Sequence, residues 1–279
     1  MTTPPALTDR AALTAHRARA RRLPGHDDAL FLHRAALADL QERLNEVNRT
    51  FTSPALVTGF PEVWREFAPD GLLVADTEAL ALTPGAHDLV IHAMGLHWAD
   101  DPLGQLVQCR HALRPDGLFI AVLPGGRTLH ELRTSLAEGE ALVTGGLSPR
   151  VLPMAEIRDL GGLMQRAGFA LPVADSFTQT VHYSSFTSLC ADLRAMGETN
   201  ALAARLRRFS ARAIFAAAEA VYRTSFATPD DRLLATFDLV FLTGWAPHDS
   251  QQQPLRPGSA RSRLADALGV AEKPLPKGG

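Results

Sequence analysis

The chain has 279 residues, 46% of them hydrophobic, and a formal charge of −2. That length and apolar content suffice for one large α/β domain or a domain with a sizeable insertion, and the near-zero charge gives no electrostatic ground for nucleic acid or an anionic membrane as a general partner. The two cysteines, Cys109 and Cys190, form neither a metal spacing nor a disulfide framework, and no apolar run approaches the ~20 residues that span a bilayer.

Both cysteines read as small core residues in a reducing cytosol. The N-terminus lacks the apolar core of a secretory signal, so a cytoplasmic location is expected. Residues 1–28 hold TTPP and LPGHDD, which break regular structure at both ends, and predict a partly ordered arm. Within it HRARARR, His16 to Arg22, reads either as an organelle-targeting feature or as a solvated helix end. The second is favoured because Asp9, Asp27 and Asp28 surround it. From Ala29 to Thr50 an apolar stripe of Leu30, Leu37, Leu40, Leu44 and Val47 predicts a helix packed on the sheet edge.

Ser53 to Phe60 predicts the first strand, and Gly59 ends it where a parallel nucleotide-binding sheet places its glycine-rich turn. Only 29 positions separate Gly59 from Asp88. A βαβ crossover takes about 10 to 12 residues at least and a full unit 30 or more, so helix, strand, helix and strand do not all fit there. One strand–helix pair is expected to be missing. LLVADTEALAL, Leu72 to Leu82, lies in that interval and carries Asp76 and Glu78, which read either as contacts for a ligand's ring edge or as a polar turn.

His87 to Arg133 reads as a complete βαβ unit with a further loop and helix. DLVIHAM is apolar in near-continuous succession, as in a strand covered on both faces, and it stops at Gly95. Asp100 and Asp101 stand ahead of Pro102, a cap followed by a proline suited to a first helical turn, and Leu103, Leu106, Val107 and Leu113 follow at helical spacing. RPDG predicts a turn and GLFIAVLP a second buried strand. Two such strands run parallel with a right-handed crossover, and ligands sit beyond their carboxyl ends. The loops leaving those ends, GLHWADD and PGGRT, are therefore where chemistry is sought.

Beyond the unit, helices are predicted over His130 to Val143, Pro153 to Phe169, Ser185 to Asn200 and Leu206 to Ala227, strands over Val173 to Tyr183 and Thr236 to Pro247. SRLADAL predicts a short closing helix and 269–279 a disordered tail. Residues 29–268 are read as a single domain, with 185–230 a helical insertion over the substrate side.

The candidates follow from position. His97, as general base or orienting donor, and Trp98, as the wall for a flat ligand, are the catalytic candidates. The competing reading has Trp98 filling space between sheet and helix and His97 capping a loop. Arg127 after two glycines suits a bidentate carboxylate clamp, and His248, Gln251, Gln252 and Gln253 suit a peptide backbone or an amide-bearing side chain, or a solvated loop. No zinc, phosphate-loop or Ser-His-Asp pattern is present.

The LHW, DDP and LRPDGLF strings of residues 96–119 resemble the second half of a class I S-adenosylmethionine-dependent methyltransferase, of the type that includes the malonyl-carrier-protein methyltransferase of biotin synthesis. FLHRAALADLQERL near the start and TGWAPHDSQQQPLRPGSA near the end narrow the likeness to the branch containing a mitochondrial complex I assembly factor and its alphaproteobacterial relatives. The resemblance spans residues 29 to 268. It implies a Rossmann-like α/β sheet, S-adenosylmethionine held by Gly59, Asp76, Glu78, Ala79, Met94, Gly95 and Leu96, and a protein substrate such as an iron–sulfur subunit of complex I. In that branch the activity is hydroxylation of an arginine. The family's acidic residue and G-x-G run are replaced here by Val57, a single Gly59 and Phe60-Pro61, which weakens the cofactor grip.

By this resemblance VADTEAL matches the third strand, which makes the ribose-binding second strand the absent one. The alternative places Asp76 at the end of the second strand, with the third lost. Three functions are implied: a methyltransferase acting on a protein or acyl substrate, a noncatalytic assembly chaperone, and an arginine hydroxylase. The location is cytoplasmic or, through a partner, peripheral to the inner membrane.

Overall fold

The computed structural model describes residues 6–252. Three helices come first, α1 (Arg10–Ala20), α2 (His26–Ala29) and α3 (Phe31–Glu46), then β1 (Pro54–Thr58), α4 (Pro61–Trp64), β2 (Leu72–Val74) and β3 (His87–Ala93). A single 3-10 turn, Leu96–Trp98, leads into α5 (Pro102–Ala112), β4 (Leu113–Gly125), α6 (His130–Thr144), α7 (Ile157–Arg166), β5 (Ala170–Tyr183), α8 (Phe186–Ala195), α9 (Arg212–Phe226) and β6 (Leu233–Trp245). The six strands form one sheet in the order β2-β1-β3-β4-β6-β5. β2, β1, β3 and β4 are parallel, and β6 lies antiparallel between β4 and β5. The expected α/β sheet, short by one strand–helix pair, is what forms. Chain contacts divide into a unit ending at Pro247 and a second beginning at His248.

Strand alternation builds two apolar layers. On one face Leu56, Leu89, Ile91, Leu118, Ile120, Phe237 and Phe241 pack with residues of α3, α6, α8 and α9. On the other, Ala55, Val57, Val90, Phe119, Ala121 and Leu242 pack with α5 and α7. Asp101 caps α5 by accepting from Gly104 N at 2.8 Å, with Pro102 in the first turn, as its sequence predicts.

Three expectations are corrected. The sheet shows β2 bonded directly to β1, Val74 opposite Val57. In a doubly wound sheet the strand beside the first is the second, with the third outside it, so Asp76 follows the second strand and the lost piece is the third. The RPDG turn is instead a bulge within β4: pairing steps from His87↔Leu113 to Leu89↔Leu118, leaving Arg114–Gly117 looped out with Asp116 at φ 61°. Residues 10–20 are no partly ordered arm but a packed helix, α1, with Leu13, Arg17 and Ala20 buried. Asp9 caps it by accepting from Ala12 N at 3.0 Å, and the chain ahead is pinned where Leu7 N and Thr8 N donate to Asp100 Oδ1, both at 2.8 Å. The closing helix and Gln253 lie outside the described residues.

Candidate active site

β3 ends by turning sharply: Met94 takes φ 52° in the left-handed region, a conformation that costs about 1–2 kcal/mol for a residue with a side chain. The turn gives one short loop two faces. Gly95 backs onto Asp76, since a Cβ at position 95 would stand 2.7 Å from Asp76 Oδ2. Met94, His97 and Trp98 face the other way and line a cavity of about 290 Å³.

That cavity is walled by apolar side chains of α3, α6, α8 and α9, among them Leu32, Leu136, Leu193 and Phe215. Within it His97 and Trp98 meet a carboxylate, Glu198, that sequence reasoning missed. Glu198 Oε2 accepts from Trp98 Nε1 at 2.8 Å and lies 3.3 Å from His97 Nε2. Burial raises the Glu198 pKa, but the hydrogen bond and charge of His97, the Arg17 charge and the Trp98 N–H more than offset it and hold the carboxyl down at about 2. A carboxylate therefore stands in an apolar cavity at neutral pH, its side chain 22% exposed. His33 also lines the cavity. Burial pushes its pKa down to about 4, so it is a neutral imidazole that accepts the Trp64 Nε1–H on Nδ1 at 3.0 Å. His97 Nδ1 is buried with no hydrogen-bond partner.

A second cavity, of about 500 Å³, opens beside Gly59 and Asp76 and is faced by Arg10, Arg17, Arg21 and Arg65. Arg17 fills the glycine cradle. A Cβ at position 59 would meet Arg17 Nη1 at 2.1 Å, and that nitrogen donates to both Asp76 oxygens at 2.9 Å. Arg21 donates to the Gly59 carbonyl at 2.6 Å, and Arg10 donates to the Asp76 carbonyl.

Glu78 lines neither cavity, its Oε1 accepting from Asp100 N at 3.2 Å, and Ala79 is an exposed turn residue. Leu96 packs in the apolar layer under α5 and lines neither cavity. Arg127 lies outside both linings. Its N–H donates to Asp238 and its guanidinium contacts His130 Nε2 at 3.1 Å. In the second unit, His248 N–H donates to Gln251 Oε1 at 3.2 Å, forming a local turn, and Gln252 is exposed. The structure thus brings His97, Trp98 and Met94 together around one cavity and Gly59 and Asp76 around the other, with Gly95 between them.

Residues 32–121 match a methyltransferase domain family. The matched segment is 90 of the chain's 279 residues. It contains Gly59, Asp76 and the whole Met94–Trp98 loop. Among curated proteins, the arginine-hydroxylase NDUFAF5 of Danio rerio mitochondria is 37% identical over 198 residues, 71% of this chain and 61% of its own. The malonyl-[acyl-carrier protein] O-methyltransferase of Xylella fastidiosa is 31% identical over 179 residues, 64% of this chain and 58% of its own. Among solved structures, a presumed methyltransferase from Bacillus halodurans covers 76% of this chain and 99% of its own at 11% identity, with a TM-score of 0.48. The chain spans about three fifths of the length of these two curated relatives.

The crevice does not fit S-adenosylmethionine as it stands. The carboxylate oxygens that would receive sugar hydroxyls are taken by Arg17, and the cradle at Gly59 is filled by the same guanidinium. No helix among the described residues is long and apolar enough to cross a membrane.

Proposed function

We propose that this chain is a methyltransferase-fold enzyme that modifies a protein side chain or an acyl group held in the apolar cavity, with S-adenosylmethionine as the ligand of the Gly59–Asp76–Gly95 crevice. The observation that carries the reading is the Met94–Trp98 loop, whose Gly95 belongs to the crevice while its Met94, His97 and Trp98 line the cavity. Transfer between two ligands asks chiefly for alignment and exclusion of water, and a shared thin wall beside an apolar chamber supplies both. His97 and Trp98 are the proposed catalytic residues, joined by Glu198. Arg127 is proposed as an outer contact of a protein substrate, and His248, Gln251 and Gln252, in the second unit, are proposed separately as substrate-binding residues.

The two curated relatives support different substrates. One is named for an arginine and the other for an acyl carrier protein. The higher identity to the first favours a protein side chain, with an iron–sulfur subunit in complex I assembly as the proposed target and hydroxylation as the alternative outcome. A noncatalytic assembly chaperone is a second reading, favoured by the arginine-filled crevice. Calorimetry with S-adenosylmethionine separates enzyme from chaperone. Saturable binding in the range of about 1 μM to 1 mM typical of enzyme ligands is expected. A folded sample that gives no heat there, with Arg17 in place and with Arg17 replaced by glutamine, removes the enzyme reading. Mass spectrometry of the target subunit then distinguishes an added methyl from an added oxygen.

A further inference from the structure

The disagreement between the crevice and its implied ligand has a single source. Arg10, Leu13, Thr14, Arg17 and Arg21 all face the crevice, and their spacing places them on one side of a helix. Three of the four arginines in the lining therefore belong to α1 or its C-cap, and only Arg65 comes from elsewhere. Arg17 is held on every side: its guanidinium lies 5.1 Å from the Phe60 ring centroid, its stem would touch a Cβ at Gly197 at 3.2 Å, and Asp76 takes Nη1. Yet its Nε and Nη2 are buried with no partner. A guanidinium placed for its own sake would satisfy those donors. This one instead neutralises a carboxylate and fills a cradle made by the absence of a side chain.

We infer that α1 is a built-in occupant of the crevice, a helical plug whose Arg17 guanidinium holds the site of the small-molecule ligand closed until α1 withdraws. Withdrawal changes the chemistry of the crevice at a stroke. It removes Arg10, Arg17 and Arg21 together, frees both Asp76 oxygens to accept hydroxyl protons, and reopens the backbone at Gly59. The inference rests on the proposed function for the identity of the ligand, but its geometry belongs to the crevice alone. A competent state that is only fractionally populated weakens apparent affinity by that fraction, so the plug sets the affinity of the site.

The test uses the full-length protein and S-adenosylmethionine in two measurements. Hydrogen exchange of residues 10–20 in the unaltered protein is followed with and without ligand. Faster exchange on ligand addition is expected for a displaced plug. Slower exchange, the signature of a lid closing over its ligand, overturns the inference, as does unchanged exchange with binding verified by calorimetry. Calorimetry on Arg17→Gln, checked for folding by circular dichroism, is expected to show binding at least about tenfold tighter than in the unaltered chain. Equal or weaker binding overturns the plug while leaving the ligand assignment intact. Absence of binding in both folded proteins overturns the ligand assignment and the plug with it. If Arg17→Gln does not fold, the exchange experiment decides alone.

Discussion

Acidifying the protein toward pH 5 should destabilise it in large part through His33. The ring is buried, accepts from Trp64 Nε1 at 3.0 Å and lies 4.5 Å from the Phe60 ring centroid. Burial is the main cause that pushes its pKa down to about 4 from 6.5. A base whose native pKa lies below its unfolded one binds fewer protons when folded. Its full contribution is therefore present above pH 6.5 and is lost as the pH falls toward 4. The drop corresponds to about 3 kcal/mol in all, of which about 1.4 kcal/mol is gone by pH 5.5. Against a typical stability of about 5–15 kcal/mol this is measurable. His92, fully buried, and His16, half-buried, are also shifted down by burial and add to the loss as the pH falls, so pH alone does not isolate His33. The variant His33→Gln does, because its amide oxygen still accepts from Trp64 while carrying no proton. Urea unfolding of both proteins between pH 7.5 and 5.5 should show the unaltered protein losing about 1.4 kcal/mol more than the variant. Parallel curves would refute the claim that this ring is held neutral by burial.

Glu198→Gln should reduce stability at pH 7 by about 2–3 kcal/mol, since the carboxylate's folded pKa lies at about 2 against 4.5. That contribution is whole above pH 4.5 and fades as the pH falls toward 2, so chemical denaturation at pH 3.5 should find the penalty smaller. A penalty constant with pH would contradict the His97–Glu198 pairing. Gly139→Ala would ordinarily favour a helix by up to about 1 kcal/mol, but here a Cβ would stand 2.5 Å from Ala218 N in α9. Overpacking of about 1–3 kcal/mol should win and appear as a lowered melting temperature; a raised one would show that α6 and α9 are not so close. Arg43→Ala removes a salt bridge to Asp175 and a guanidinium 4.1 Å from the Phe241 centroid. At a half-exposed site its cost should be about 1 kcal/mol and shrink in high salt, as denaturant midpoints with and without salt will show.

The βαβ unit was legible because each of its signals is local. Asp101-Pro102 starts a helix through bonds that reach three residues, and the apolar run before Gly95 needs only its own period. Glu198 was not legible. It stands about a hundred residues from Trp98 and reaches it only because the segment after α8 folds back over the cavity, a placement set by tertiary packing. Arg17 misled for a related reason. In a basic run flanked by aspartates, solvation is the economical reading, yet its partner Asp76 lies 59 residues on. Asp76 itself was seen in the sequence, but which strand it follows depends on sheet pairing. Only the Val57–Val74 register reveals that.

The short sheet and the N-terminal helix explain one another. With the third strand gone, β2 is a three-residue edge whose Leu72 is exposed, and residues 75–86 cross to β3 without helix or strand. The crevice beyond Gly59 would then have an open flank. Backbone carbonyls at Gly59 and Asp76 and a buried carboxylate would face it with no protein partner, and such groups are costly unless bonded. α1 meets those needs with one helical face: Arg10 takes the Asp76 carbonyl, Arg17 its carboxylate, Arg21 the Gly59 carbonyl. Loss of the third strand therefore did more than trim the fold. It left polar groups for the N-terminal segment to satisfy, and the side chains that satisfy them are the ones that any ligand of the crevice has to displace.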